Sequence, residues 1–193
     1  MNTFLQAMQF AEKAHKGQLR KDKTTPYFLH PISVAMHLNA FPEAVQCAAL
    51  LHDVVEDTPV TQEEIEDLFG AEIAELVRSV SEQDKSLPWK ERKLRYLAHL
   101  KDAPLGAIAI CLADKIDNMM SLRHSVTEHG VGFLKVFNAP PAEIFWYHQE
   151  CMFEASRAVG TPSPEDAARF QPLFERYVSE LEALRIIVAN CPV

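Results

Sequence analysis

Apolar side chains recur at three- and four-residue spacings along most of the chain, and no stretch keeps the two-residue alternation of a strand. The pattern therefore predicts helices throughout. Asn2 or Thr3 caps a first helix to about residue 16, with Phe4, Met8, Ala11 and Ala14 inward and Gly17 as its stop. A polar loop covers 18–25. Pro31 suits the first turn of a second helix, 31–39, and Pro42 opens a third, 42–56, through the apolar run Ala48-Ala49-Leu50-Leu51. Thr61-Gln62-Glu63-Glu64 is a capping box, with Val60 and Ile65 as its hydrophobic staple, and it starts a helix over 62–69 that Gly70 ends. Another helix follows over 71–80, and 81–87 reads as a polar loop. Pro88 opens a helix to about residue 101 with Leu94, Leu97 and Leu100 inward, and Asp102 caps the next, 103–122. Residues 124–139 are ambiguous, because Gly130 and Gly132 favour a loop whereas 133–137 fit one helical turn. Pro140-Pro141 begins a helix ending near Gly160. Ser163 to Asp166 caps a last one, 164–188, whose stripe of Phe170, Leu173, Phe174, Tyr177, Leu181, Leu184 and Ile187 is wide enough to pack on the body. The reading is an all-α single domain over 1–193, with 161–193 as a C-terminal packing helix.

Composition narrows the function classes. A chain of 193 residues with 48% hydrophobic positions holds one domain with a full core. No apolar run approaches the roughly 20 residues of a membrane span, and Met1-Asn2-Thr3-Phe4 has neither a basic head nor a cleavage site, so no membrane and no secretory route is expected. The four cysteines, Cys47, Cys111, Cys151 and Cys191, are widely spaced with no CxxC, the usage of reduced thiols in a cytoplasmic protein. A net charge of −8 argues against nucleic acid as a partner. Lys13, Lys16, Arg20, Lys21 and Lys23 nevertheless cluster, which suits either a small polyanion or a solvated surface loop. The acidic charge and the tail stripe are compatible with a homodimer without establishing one.

The chemistry concentrates where apolar helices end in acid. His52-Asp53-Val54-Val55-Glu56-Asp57 places four ionisable groups in six positions, and charged groups avoid the interior unless paired or bound to metal. His52 with Glu56 and Asp53 with Asp57 stand four apart, on neighbouring helix faces. His52 and Asp53 are thus placed to grip one ion, with Glu56 and Asp57 one turn on. A second apolar run, 108–113, delivers Asp114 and, four residues later, Asn118. Asp114 offers another carboxylate and His30, beside Pro31, a second imidazole. Two imidazoles and two carboxylates suit Mn²⁺ or Fe²⁺ with open positions; a closed structural zinc site would more often include cysteine.

The ordered set Gly17-Gln18-Leu19-Arg20-Lys21, Pro26-Tyr27, His30-Pro31, His52 to Thr58, Phe69-Gly70, and Leu112-Ala113-Asp114-Lys115 with Asn118 resembles the HD-type hydrolase domain of the RelA/SpoT alarmone enzymes. Leu87-Pro88-Trp89-Lys90-Glu91-Arg92-Lys93 is similar to the stand-alone small alarmone hydrolases. The resemblance implies an HD-domain helical bundle that holds Mn²⁺ through His30, His52, Asp53 and Asp114. It implies removal of the 3′-pyrophosphate from guanosine tetra- or pentaphosphate, a small nucleotide polyphosphate, with Glu56 and Asp57 orienting and activating water. By the same resemblance Arg20 lies against the nucleobase, Lys21 meets a phosphate, Asn118 holds the ribose or 3′-phosphate edge, and Tyr147 flanks the nucleotide.

Two positions and one stretch depart from the family pattern: Ser81-Glu82-Gln83-Asp84-Lys85 replaces a shorter threonine-aspartate stretch. Met120 stands where members usually carry an arginine two places after the asparagine, and Glu143 or its neighbours stand where close relatives have another arginine. Losing phosphate-binding arginines would favour the same chemistry on another phosphorylated nucleotide, such as the 2′-phosphate of NADPH. The long tail helix would suit a non-catalytic HD module that binds a nucleotide or a partner, although such a module has no need of the Glu56-Asp57 pair.

Overall fold

The structure, a computed structural model, describes residues 2–82, 86–137 and 139–190. Ten α-helices lie among them: α1 (Thr3–Ala14), α2 (Leu29–His37), α3 (Glu43–Leu51), α4 (Val54–Asp57), α5 (Gln62–Phe69), α6 (Ala71–Val80), α7 (Trp89–Leu100), α8 (Leu105–His129), α9 (Pro141–Val159) and α10 (Pro164–Asn190). Among the described residues the one β-type pairing is an isolated bridge between Leu19 and Pro26, so the fold is all-α, as the apolar spacing predicts. No described helix is long and apolar enough to cross a membrane.

Every layer is arranged about α8, against which α10, α2, α9, α6 and α3 pack. Its first half, Ala107 to Ala113, is apolar and buried all round, which an amphipathic surface helix would not be. Close approach is possible there because Gly106 has no side chain: a Cβ would sit 2.9 Å from Val45 and 3.0 Å from Leu76. Gly130, at φ 76°, ends the helix. A 3₁₀ turn, Val131–Val136, follows. The tail helix α10 covers α8 with Phe170, Leu173, Tyr177 and Leu184, all buried. Glu180, buried on the same face, is paired with Arg123 of α8 at 3.2 Å and Arg176 at 2.9 Å.

Several boundaries differ from the sequence reading. The helix expected over 42–56 is two helices, α3 and α4, with His52 and Asp53 at the joint. The His52 ring takes the Ala49 carbonyl at 2.8 Å, the acceptor that a continued helix would reserve for the Asp53 N–H. Asp102 does not cap α8; Pro104 does, because a residue ahead of proline is pushed out of the helical region. The helix then runs on to His129, past the expected end at 122. On α7, Leu94 is exposed and Tyr96 is buried in its place with Leu97 and Leu100. The α5 capping box is present, with both Thr61 and Glu64 bonding as that motif requires. Residues 83–85 of the polar stretch and Cys191 lie outside the described residues.

A core substitution on the central helix should be costly. Leu112→Ala is expected to lower stability by about 2–5 kcal/mol, read as a shift in the denaturant midpoint at unchanged slope.

Candidate metal centre and adjoining cleft

Three separated pieces of chain bring ionisable groups to one buried point. His30 comes from α2, His52 and Asp53 from the α3–α4 joint, and Asp114 from α8, where the apolar stretch ends. The two imidazoles are 3% and 4% exposed. His30 Nε2 lies 3.1 Å from Asp114 Oδ1 and 3.6 Å from Asp53 Oδ2. His52 Nε2 lies 3.1 Å from Asp53 Oδ2 and 3.8 Å from Asp114 Oδ1. Ligand atoms of His30, His52 and Asp114 all fall within 4.8 Å of one another.

The far sides of both rings are occupied. His30 Nδ1 bonds the Asp117 carboxylate at 2.6 Å, and His52 Nδ1 bonds the Ala49 carbonyl. Those bonds place the ring hydrogens on Nδ1 and turn both Nε2 lone pairs inward, the arrangement of metal-ligating histidines. His52 Nε2 is buried without a hydrogen-bond partner. An orphaned acceptor facing two carboxylates is what a divalent cation would satisfy, and the donor set fits one. Electrostatics agree. Burial opposes charge on His52, but Asp53 and Asp114 outweigh it and hold its pKa well above the ordinary range. Burial likewise opposes charge on Asp114, but Lys115 and the two histidines outweigh it and hold its carboxyl well below the ordinary range. The point attracts positive charge.

Glu56 and Asp57 stand beside this centre on α4. Glu56 is half-buried and accepts the Glu82 N–H at 3.1 Å. Asp57 is exposed, and the Tyr27 hydroxyl bridges it to Asp53, at 3.2 and 2.6 Å. Gln18 ties the Asp57 carbonyl to the end of α1 through His15.

A cavity of about 290 Å³ adjoins the metal pocket and shares Tyr27, Lys93, Lys115 and Asn118 with it. Arg20, Lys21, Phe137 and Tyr147 also line it. Arg20 and Lys21 project from a built turn, not a loose loop. Asp22 accepts from the Thr24 and Thr25 amides and the Thr25 hydroxyl, and the Arg20 N–H donates to the Thr25 carbonyl at 2.8 Å. Arg20 reaches Asn118 Oδ1 at 3.2 Å and Asp117 at 3.4 Å. Asn118 in turn donates to Asp114 at 2.5 Å. Lys21 lies 3.6 Å over the Phe137 ring. Tyr147 is buried against Trp89, with Lys93 and Lys115 at 4.8 and 5.6 Å from its ring centre.

The structure therefore brings together all ten residues singled out from the sequence, in two adjoining lobes. Sequence reasoning gave no role to Asp117, Tyr27, Lys93, Lys115 or Glu82. Asp117 carried a signal, standing three residues after Asp114 on the same helix. Glu82, paired with Arg92 at 2.7 Å and with Lys93, carried none. Of the departures, Met120 and Glu143 fall outside the cleft, whereas Glu82 of the replaced stretch lines the metal pocket. Met120 faces α10, with Arg176 Nη2 3.6 Å from its sulfur, and Glu143 pairs with Lys90 at 3.3 Å.

Comparison with known proteins places this geometry among relatives. The HD domain family matches residues 7–135. The guanosine-3′,5′-bis(diphosphate) 3′-pyrophosphohydrolase MESH1 of Drosophila melanogaster is 42% identical over 125 residues, 62% of this chain and 69% of its own length. Its Homo sapiens namesake is 42% identical over 129 residues, 64% of this chain and 72% of its own. A solved structure of a metazoan ortholog of SpoT, described as hydrolyzing ppGpp and playing a role in starvation responses, superposes with a TM-score of 0.67. It is 30% identical, covering 91% of this chain and 96% of that one.

The ring-orienting bond gives a test. Asp117→Asn is expected to weaken divalent-cation binding by roughly 10–100-fold, and His52→Ala to abolish it, both measured by calorimetric titration of Mn²⁺ into metal-stripped protein.

Proposed function

The chain belongs to the HD domain family, and on that premise we propose that it removes the 3′-pyrophosphate from guanosine tetra- or pentaphosphate, giving GDP or GTP and pyrophosphate. The observation that carries the proposal is the convergence of His30, His52, Asp53 and Asp114 beside a cationic, aromatic cavity of nucleotide size. The names of the relatives support the same reaction.

His30, His52, Asp53 and Asp114 would hold the cation, and Mn²⁺ suits two imidazoles with two carboxylates, with Fe²⁺ as the other candidate. When bound, it supplies positive charge for a phosphate oxygen and acidifies water at neutral pH. The rest is done by the chain. The Glu56 carboxylate takes the proton of the attacking water. Asp57, held by the Tyr27 hydroxyl, orients that water. Lys115 stays charged: burial opposes it, but Asp114 at 2.5 Å outweighs burial and raises its pKa well above the usual value. With Lys93 it offsets the charge that builds on the phosphates. Arg20, held flat by Asn118 and Asp117, offers its plane to the base, which a lysine would not do as well. Asn118 steadies the ribose or 3′-phosphate edge, and Tyr147 forms part of the aromatic wall. Buried free thiols at Cys47, Cys111 and Cys151 support a cytoplasmic setting for this work.

Hydrolysis of guanosine tetraphosphate with Mn²⁺, beside NADPH and other nucleoside phosphates, tests the assignment. Cleavage of another nucleotide with the tetraphosphate untouched would overturn it. Glu56→Gln should lower kcat about 10²–10⁴-fold while Mn²⁺ titration is unchanged; unchanged turnover would remove Glu56 from the mechanism. A pH profile tests Lys21. Burial, then Lys93 and Arg20, lower its pKa to about 8, so it is charged below that pH and loses its charge above it. KM is expected to rise by up to about tenfold per unit above pH 8, and Lys21→Arg should flatten that rise.

A further inference from the structure

His148, on α9, lines the cavity but not the metal pocket, yet none of the chemistry above uses it. It is buried, and its hydrogen-bond partner fixes its tautomer. Tyr177 of α10 donates its O–H to the His148 backbone carbonyl at 2.9 Å. With that hydrogen committed, the phenol oxygen is left to accept from His148 Nδ1 at 3.3 Å. Nδ1 therefore carries the ring hydrogen, and Nε2 keeps a lone pair. Burial, helped by Lys115 and Lys93 against Asp114, lowers the pKa of the ring to about 3. His148 thus stays neutral, with Nε2 an acceptor and never a donor.

The direction of a bound nucleotide is set by α8. Asp114, Asn118, Ser121 and Ser125 follow one another at four-, three- and four-residue steps along a single helix face. From Asp114 to Ser125 the helix rises about 16 Å. A nucleotide whose 3′-phosphate lies at the cation site that Asp114 helps to form, and whose ribose edge meets Asn118, carries its base toward Ser121 and Ser125. Those two serines and His148 line the same cavity, with Phe133 and Phe137 as apolar wall.

We propose that His148 Nε2 accepts a hydrogen bond from an N–H on the edge of the bound base, so that the site prefers bases carrying a donor there. This deepens the proposed function and rests on its placement of the nucleotide. A histidine that merely filled space would be replaceable by phenylalanine without loss of discrimination.

The test is calorimetric binding to the Mn²⁺-loaded full chain of guanosine 3′,5′-bisphosphate and of purine riboside 3′,5′-bisphosphate, whose base has no N–H. The wild type should favour guanosine by about tenfold, the worth of one neutral hydrogen bond. His148→Phe should bring the two affinities to within about twofold, while His148→Gln, which keeps an acceptor, should retain the preference. Tyr177→Phe frees the ring hydrogen to move to Nε2 and should reduce the preference to about threefold or less, which decides the matter if His148→Phe does not fold. A wild type that binds both alike, or a His148→Phe protein that still discriminates, overturns the proposal. Binding of neither nucleotide overturns it together with the placement of the base. Discrimination without tetraphosphate hydrolysis would leave His148 as assigned and sink the reaction instead.

Discussion

Two buried imidazoles aim their Nε2 atoms at the same point between two carboxylates, and much of the local structure exists to make that tolerable. Such a cluster is expensive to bury unless a central positive charge compensates it. The protein prepares for that charge from behind. The Ala49 carbonyl holds one ring and Asp117 the other, so neither can turn its lone pair away. The break between α3 and α4 follows from the same demand, because the helix gives up a backbone acceptor to the His52 ring. Since a preformed cage is absent from an unfolded chain, the free energy of filling it becomes part of the free energy of folding.

The central helix performs two tasks in succession. Ala107 to Ala113 are buried on every side and lock α8 in the core; from Asp114 onward one face turns polar and lines the cleft. A rigid element thus fixes the spacing of Asp114, Asn118, Ser121 and Ser125 along the cleft. The opposite wall is a turn, yet Asp22 braces it with three hydrogen bonds; burial pushes its carboxyl pKa up, but the bonds to Thr25 and Thr24 together outweigh it and lower it to about 2. Arg20 and Lys21 are thereby presented by a loop with little freedom left to lose on binding.

What the sequence made legible were the groups whose chemistry conflicts with their surroundings. His52, Asp53 and Asp114 stand out because each ends an apolar run, and the capping box at Thr61 stands out because its partners are local. Groups that act through distant partners left no such trace. Tyr27 matters because its hydroxyl meets Asp53 across 26 residues, and Asp117 because it meets His30 across 87. Periodicity also misplaced Leu94: residues 96, 97 and 100 form the buried stripe of α7, and position 94 falls off it. The start of α8 at Leu105 was readable from Pro104, but an apparent cap at Asp102 competed with it.

The departures from the family pattern show why position in sequence is a poor guide to loss of function. An arginine replaced by methionine at 120 suggests a weaker grip on phosphate. The side chain at 120, however, leaves α8 toward α10, where Arg176 contacts it and pairs with the buried Glu180. Methionine there is a flexible apolar surface for a guanidinium stem to pack on. Glu143 likewise closes α9 onto α7 through Lys90. Neither change removes a cation from the cleft, whose positive wall is Arg20, Lys21, Lys93 and Lys115. On a protein of net charge −8, that wall is a local inversion of sign. Within a Debye length of the surface it sets the potential that an incoming polyphosphate meets. Retention of a nucleotide then depends on the groups facing the cleft, and substitutions on the outer faces of α8 and α9 alter helix packing instead.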